Sequence, residues 1–551
     1  MEAAVDRRDF LKHSGTLAAA LAGAGRVAVA GQPAPRVSGA APGRGDLALV
    51  NARILTVDPS RPRAEAVLVR AGRIVQVGTS ADVKARAGDA RVFDAGGRAV
   101  VPGFIDAHTH MEVAVSHQMY AVDVHAAKTT RELQNMLAAK AAKTPPGGWV
   151  IGRAGFGLEN SLSEKKLPTR QDLDEVSQDH PVIVFSGRHI SMLNSRALKA
   201  FGMWESTATP PMGSTIHRDQ GGVPTGLATE VFYFLPEFTV DQMKAAIRGQ
   251  AKELFTDRGT TTIFTIPFSA QDVRADLELQ RAGELPLRIR MFYHVPHMTS
   301  LEGLLNMGYP SGVGDDMFRF GGMKIFVDGT GGDALGNRYD DLKWTQDELN
   351  RLLSSADASS IQTILHVVTD GGLKMALAAI EETRRSNPKQ PYLIHRIEHG
   401  GDRGGIEVVR HLRDLGIRLS LTPGPGRRGA TRPRYKTLVQ EQSDPILITD
   451  TTGTTQGSSD ILFKIACAAV SVDDGGGAPK GEELGFEGAL RLFTIGNARC
   501  GYEDADKGSI SVGKLGDFAV LSGDPVAMAP KNLFDLKLDA TILGGDIVFQ
   551  R

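Results

Sequence analysis

Two histidines flank one threonine at the end of an apolar run, VPGFIDAHTH, residues 101–110. Successive side chains of a strand point to opposite faces, so His108 and His110 share one face. Two imidazoles placed this way can chelate a metal, although exposed strand-end histidines are the plainer reading. More polar residues stand at the ends of later apolar runs: His366 in QTILHVVTDGG, His399 in LIHRIEHGG and Asp460 in TTQGSSDILF. Each alone has an ordinary explanation, a satisfied core histidine or an aspartate capping a helix. All five at the strand ends of one barrel are hard to obtain by chance. Lys324, in GGMKIFVDGT, sits inside an apolar strand, where a bare ammonium is costly to bury. Its alternation partners are Gly322 and Phe326. It either snorkels to the strand end or is carboxylated. In the second case carbon dioxide adds to the neutral amine, and the resulting anionic carbamate can bridge two metal ions.

The elements that must position these residues alternate in type. Strand-like runs at VVPGFIDAH, 259–267, 285–295, 321–329, 362–368, 392–400, 416–423 and 454–460 are separated by helical stretches. That rhythm predicts βα units and a parallel sheet, with enough strands to close a TIM-type barrel whose catalytic face lies at the strands' C-terminal ends. Short strands with turn residues occupy both ends of the chain and predict one small β domain built from the two termini. The expected organisation is therefore α/β: a β-sandwich from 47–100 and 505–551, and a barrel over 101–504. An insertion subdomain at about 145–235 lies over the barrel mouth. On strand alternation, Glu398 is expected to point away from His399 and pack outside the barrel, and His395 to be structural.

Taken together, HTH, the central lysine, two later histidines and a final aspartate resemble the amidohydrolase superfamily. The motifs PTRQDLDEV (168–176), SGRHISMLNSRAL (186–198), GGVPTGLATE (221–230), HRIEHG (395–400) and KGSISVGKLGDFAVL (507–521) are similar to the YtcJ-like branch, which includes N-substituted formamide deformylase. The likeness runs over about 47–550. It implies a distorted (β/α)8 barrel beside a β-sandwich, with one or two divalent metal ions, commonly zinc. His108, His110 and Asp460 would hold the more buried ion, His366 and His399 the second, and Lys324 as carbamate would bridge them. Asp460 would also take the proton of the attacking water. Asp370, after the fifth strand, would fall on the substrate side; His189, in the insertion, would either bind substrate there or serve as a structural histidine of the subdomain. HVVTDGG lacks the arginine that commonly follows the family's aspartate, and GSSDILF replaces the usual GSDxP.

Composition limits the alternatives. With 63 Lys plus Arg against 64 Asp plus Glu, the net charge of −1 carries no nucleic-acid footprint. The two cysteines, Cys467 and Cys500, exclude a thiolate-rich zinc site. At 551 residues the chain is too long for a single core. DRRDFLK (6–12), with Arg7 and Arg8, then an apolar stretch and Ala28-Val29-Ala30, read as a twin-arginine signal peptide over 1–30, followed by a linker over 31–46. This predicts the twin-arginine export machinery as a partner and a periplasmic or secreted location, with no membrane anchor.

The expected activity is metal-dependent hydrolysis of a C–N bond in a small molecule: an amide, an N-acyl or N-formyl amine, or a cyclic amide. A bound metal makes hydroxide available at neutral pH and polarises the carbonyl. An esterase or lactonase, an isomerase on the same barrel, and a non-catalytic secreted protein are the competing readings. Oligomeric state is left open, a homodimer being one option.

Overall fold

The computed structural model describes residues 45–155, 157–187, 189–210, 214–230, 236–329, 342–389, 393–400, 405–424, 433–441, 443–453, 457–471 and 477–551. The signal peptide read at 1–30 lies outside the described residues.

Eight parallel strands form the central sheet: β1 Phe104–Thr109, β2 Thr260–Thr265, β3 Arg288–His294, β4 Phe318–Phe326, β5 Thr363–His366, β6 Arg396–Glu398, β7 Arg418–Leu421 and β8 Ile446–Leu447. Each pairs with the next in sequence, so the order runs without a crossover from β1 to β8. The seam between β1 and β8 is held by fewer bonds. The Asp450 N–H donates to the His108 carbonyl at 3.1 Å, and the His110 N–H to the Thr451 carbonyl at 2.9 Å. Lower down, the Asn497 side-chain amide donates to the carbonyls of Ile105 and Leu447 at 2.7 and 2.8 Å, stapling the two strands together. The result is a nearly closed (β/α)8 barrel.

Alternation sorts the strand residues between two cores. Ile289, Met291, Met323, Ile325, Leu365 and Ile397 pack outward against helix residues such as Leu352, Ile380 and Val409. Phe264, Phe292, Ile364 and Ile446 form a separate apolar plug on the inner side. Several of the helices that cover the barrel begin on side-chain caps. Thr345 and Glu348 form a reciprocal capping box at Gln346–Ala358, and Ser269 and Asp272 do the same at Ala270–Ala282. Each such cap satisfies backbone N–H groups that a helix start leaves unpaired, worth about 1 kcal/mol.

The eighth strand is not where the sequence placed it. Ile446–Leu447 completes the barrel, eight residues before the expected start. Residues 457–459 form a turn, and 454–456 lie outside the described residues. Only two residues of the ILIT run pair as strand, too few to leave a periodic signature in the sequence.

The chain ends build the expected sandwich. A four-stranded sheet from Leu47–Val50 to Arg91–Asp94 faces a six-stranded sheet in which Ala99–Pro102 pairs with Phe518–Leu521. Leu47, Val67, Val69, Val100, Phe518 and Ile542 fill the space between them. The insertion is a third unit. Its six strands run from Val122–Asp123 to Pro224–Thr229, so it starts earlier than the expected 145. Buried Arg153 fastens it to the barrel, donating to the Gly453 carbonyl at 2.8 Å just beyond β8. Among the described residues, no helix is long and apolar enough to cross a membrane.

Candidate metal centre

The C-terminal ends of β1, β6 and β8 bring His108, His399 and Asp450 together, one ligand atom of each lying within 4.8 Å of the others. His110 joins them: its Nε2 lies 3.8 Å from Asp450 Oδ1, and His108 Nε2 lies 3.7 Å from the same oxygen. Ligands of one tetrahedral ion with bonds near 2.0–2.1 Å stand about 3.4 Å apart, so these separations are close to what a shared ion requires.

Both imidazoles of β1 are oriented by their other nitrogen. The Nδ1 of His108 contacts Glu398 Oε2 at 2.7 Å, and that of His110 contacts the Ile266 carbonyl at 3.0 Å. Each acceptor fixes the proton on Nδ1 and leaves the Nε2 lone pair directed to the centre. His108 Nε2 is buried and has no hydrogen-bond partner among the described residues. A buried nitrogen with no partner is costly unless something coordinates it. The donor set therefore fits a divalent metal ion.

The aspartate is Asp450, not the expected Asp460. Asp460 caps the helix Ile461–Ala469, accepting from the Phe463 N–H at 3.0 Å. It also pairs with Arg258 at 3.4 Å and has a side chain 39% exposed. The motif ending in Asp460 looked like a family strand end, but it follows the true β8 and its carboxylate is used as a cap. Burial alone would raise the Asp450 carboxyl. His399, His108, His110 and Lys324 outweigh it and hold the group below the usual carboxylate range.

Glu398 also departs from expectation. Strand alternation placed it outside the barrel, yet it is fully buried, on the same side as His399. The reason lies in the backbone: His399 adopts φ 65°, a left-handed conformation that breaks the alternation and turns two successive side chains inward. Asp450 (φ 55°) and Glu230 (φ 55°) are left-handed as well. Such residues cost of order 1–3 kcal/mol each and persist where the surroundings over-determine them. Burial would raise the Glu398 carboxyl, but Arg396, His108 and Lys324 hold it well below its ordinary range. Arg396 itself is fully buried, with a side-chain contact to Glu398 at 2.8 Å and another to the Ala107 carbonyl at 2.7 Å.

Lys324 and His366 form the adjacent half of the site. Lys324 is 1% exposed, and its Nζ has no hydrogen-bond partner among the described residues. It does not snorkel out. Burial lowers the amine to about 8, opposed by Glu398 and Asp450, so a larger share is neutral than for an ordinary lysine. That is the form a carbamate requires. His366 Nε2 is likewise buried without a partner, its ring centroid 4.9 Å from that of His399. Burial, then repulsion from His399 and Lys324, holds His366 well below its ordinary value, and burial brings His399 to about 3. Both rings are therefore neutral at pH 7 and able to ligate.

His189 reaches the site from the insertion. Its ring centroid is 5.3 Å from that of His366, and its Nδ1 lies 2.8 Å from Glu230 Oε2. Asp370 is the first residue of the helix Asp370–Ser386, exposed and outside the gathered ligands. His395 is structural, with Nε2 3.0 Å from Asp357 and Nδ1 accepting from the Thr363 N–H at 3.1 Å. Sequence reasoning missed Asp450, Glu398 and Glu230. PILITD at 445–450 carried the same signal as FIDAHTH, an apolar run closing on a ligand type.

Comparison with known proteins agrees with this geometry. A model of the amidohydrolase family matches residues 91–549. N-substituted formamide deformylase of Arthrobacter pascens is 29% identical over 544 residues, covering 92% of this chain and 98% of that protein. YtcJ of Bacillus subtilis (strain 168) is 26% identical, covering 90% of this chain and 98% of its own. Among solved structures, a metal-dependent hydrolase from Pyrococcus furiosus superposes with a TM-score of 0.65 at 21% identity, over 87% of this chain and 100% of that one. The zinc complex of atrazine chlorohydrolase from Arthrobacter aurescens TC1 does so with 0.54 at 14%, over 92% and 95%. These last two share the fold. From the extent of the family match and the ligand set it accompanies, this chain belongs to the amidohydrolase family and is a metal-dependent hydrolase.

Proposed function

We propose that the chain hydrolyses the C–N bond of a small N-acyl or N-formyl amine, using zinc held by His108, His110 and Asp450, with Lys324, His366 and His399 beside it. The observation that carries this reading is the convergence of the His108 and His110 Nε2 atoms on Asp450 Oδ1, each ring steered by a separate acceptor. The near full-length likeness to N-substituted formamide deformylase supports the choice of an N-formyl or N-acyl amine.

The metal, when bound, supplies a Lewis acid and lowers the pKa of water toward neutrality. The chain's residues do the rest. Asp450 is an ionised carboxylate whose side chain is 35% exposed at the mouth, placed to accept a proton from water and return it to the leaving amine. Glu398 and the Ile266 carbonyl fix the two β1 imidazoles. His189, braced by Glu230 and with its ring beside that of His366, would orient the carbonyl. Lys324 is suited to carboxylation by its burial and lowered pKa.

The test is hydrolysis in oxygen-18 water of a panel of N-formyl amines, N-acyl amines, cyclic amides and lactones. Label in the released acid with a free amine beside it supports the proposal. Label from lactones alone would replace it with an ester-cleaving activity. We further propose twin-arginine export, supported by Arg7-Arg8 and the apolar stretch after them. Replacing both arginines by lysine should leave the protein in the cytoplasmic fraction, and unchanged export would overturn that part.

A further inference from the structure

On β3, Arg290 is a buried cation without a hydrogen bond to any described residue. It is 1% exposed, and none of its three guanidinium nitrogens has a hydrogen-bond partner among the described residues. Its nearest carboxylate, Glu503, is 3.6 Å away, too far to accept. Arginine cannot relieve such a position by giving up its proton. A second guanidinium shares the neighbourhood: Arg396 leaves Nη1 without a partner, and the two Cζ atoms lie 5.6 and 5.8 Å from the centroid of the same Phe264 ring.

The surrounding charges do not balance. Among the described residues, ion pairs connect Arg73, Arg290, Arg319 and Lys507 to three carboxylates, Asp316, Glu503 and Asp506. The excess sits at the buried end, where Glu503 is the one carboxylate among the described residues paired with Arg290, at 3.6 Å, and with Lys507, at 3.4 Å, and is shared with Arg319 at 3.2 Å. Arg288 and Asp517 pair with each other and contribute nothing to it. Buried water could satisfy the N–H groups of Arg290 but could not cancel a surplus positive charge. A small monovalent anion does both, and with Arg290, Glu503 and Lys507 all buried, an inorganic ion suits the site better than a metabolite.

We propose that the base of the barrel holds a chloride-sized anion against Arg290, with Arg396 as its second cationic wall. Crystals of the metal-loaded protein grown in sodium bromide should show an anomalous bromine peak within hydrogen-bonding reach of Arg290. In solution, replacing gluconate by chloride at constant ionic strength should raise the Tm of the wild-type protein by about 2–4 °C or more, and leave that of Arg290→Met unmoved. Bromide found only elsewhere, with water at Arg290, would overturn the proposal, as would an undiminished chloride response in Arg290→Met. If that variant does not fold, the diffraction experiment alone decides. Neither measurement depends on the substrate.

Discussion

The Nδ1 atom of His108 lies 2.7 Å from the Oε2 atom of Glu398, and both side chains are buried. This contact joins β1 to β6 across the barrel interior and determines which nitrogen of His108 is free to ligate. Glu398 is in turn gripped by Arg396. His108 is thus oriented by a fully buried ion pair, Glu398 with Arg396.

Glu398→Gln keeps the shape and removes the charge. It should weaken metal binding about 10–100-fold, read by competition with a chelating dye. A glutamine can still accept from His108, so far-ultraviolet circular dichroism should remain that of the wild type. Unchanged metal affinity would show that Glu398 is merely structural.

The two aspartates at issue separate cleanly. Asp450→Asn should lower kcat by at least about 10²-fold, because the proton acceptor is lost. Asp460→Asn should leave kcat within about twofold and Tm nearly unchanged, since asparagine caps a helix as well as aspartate does. Steady-state kinetics on both variants would show at once if the assignment were reversed.

Lys324→Ala should cut the metal content of the purified protein, measured by plasma mass spectrometry. Short carboxylates such as acetate or formate, filling the space of the lost carbamate, should restore part of it. Full metal content and activity in Lys324→Ala would remove the lysine from the site.

A buried acid group near the barrel wall gives the stability a pH dependence. Burial raises Asp272 to about 6, and burial with the neighbouring Glu112 raises Asp276 well above its ordinary value of 3.8. Groups whose folded pKa is raised stabilise fully below the unfolded value, and that contribution is lost as pH rises through the folded one. Tm should therefore fall as pH climbs from about 4 through about 6, with the Asp276 share lost at higher pH still. Asp276→Asn should flatten the upper part of that decline in thermal melts.

Much of the fold was legible because its signals were local and periodic. Alternating apolar runs and helical stretches gave seven of the eight strands, and the two β-rich ends gave the sandwich. The expected ligands His108, His110 and His399 meet in one place because each closes a strand of that barrel. The errors share a different cause. Asp460 was chosen by motif, whereas β8 is a two-residue strand that leaves no period to read. Glu398 was misplaced because alternation assumes extended backbone, and His399 at φ 65° departs from it. Glu230 lies about 40 residues from the histidine it braces, a pairing that arises only once the insertion's strands are folded side by side.

His108, His110 and Asp450 are proposed to hold a divalent metal ion. Diffraction from zinc-loaded crystals on either side of the zinc edge tests it most directly. An anomalous peak should appear about 2.0–2.2 Å from His108 Nε2, His110 Nε2 and an Asp450 oxygen. A zinc-loaded protein with no peak there, or with its peak beside Asp460, would contradict it.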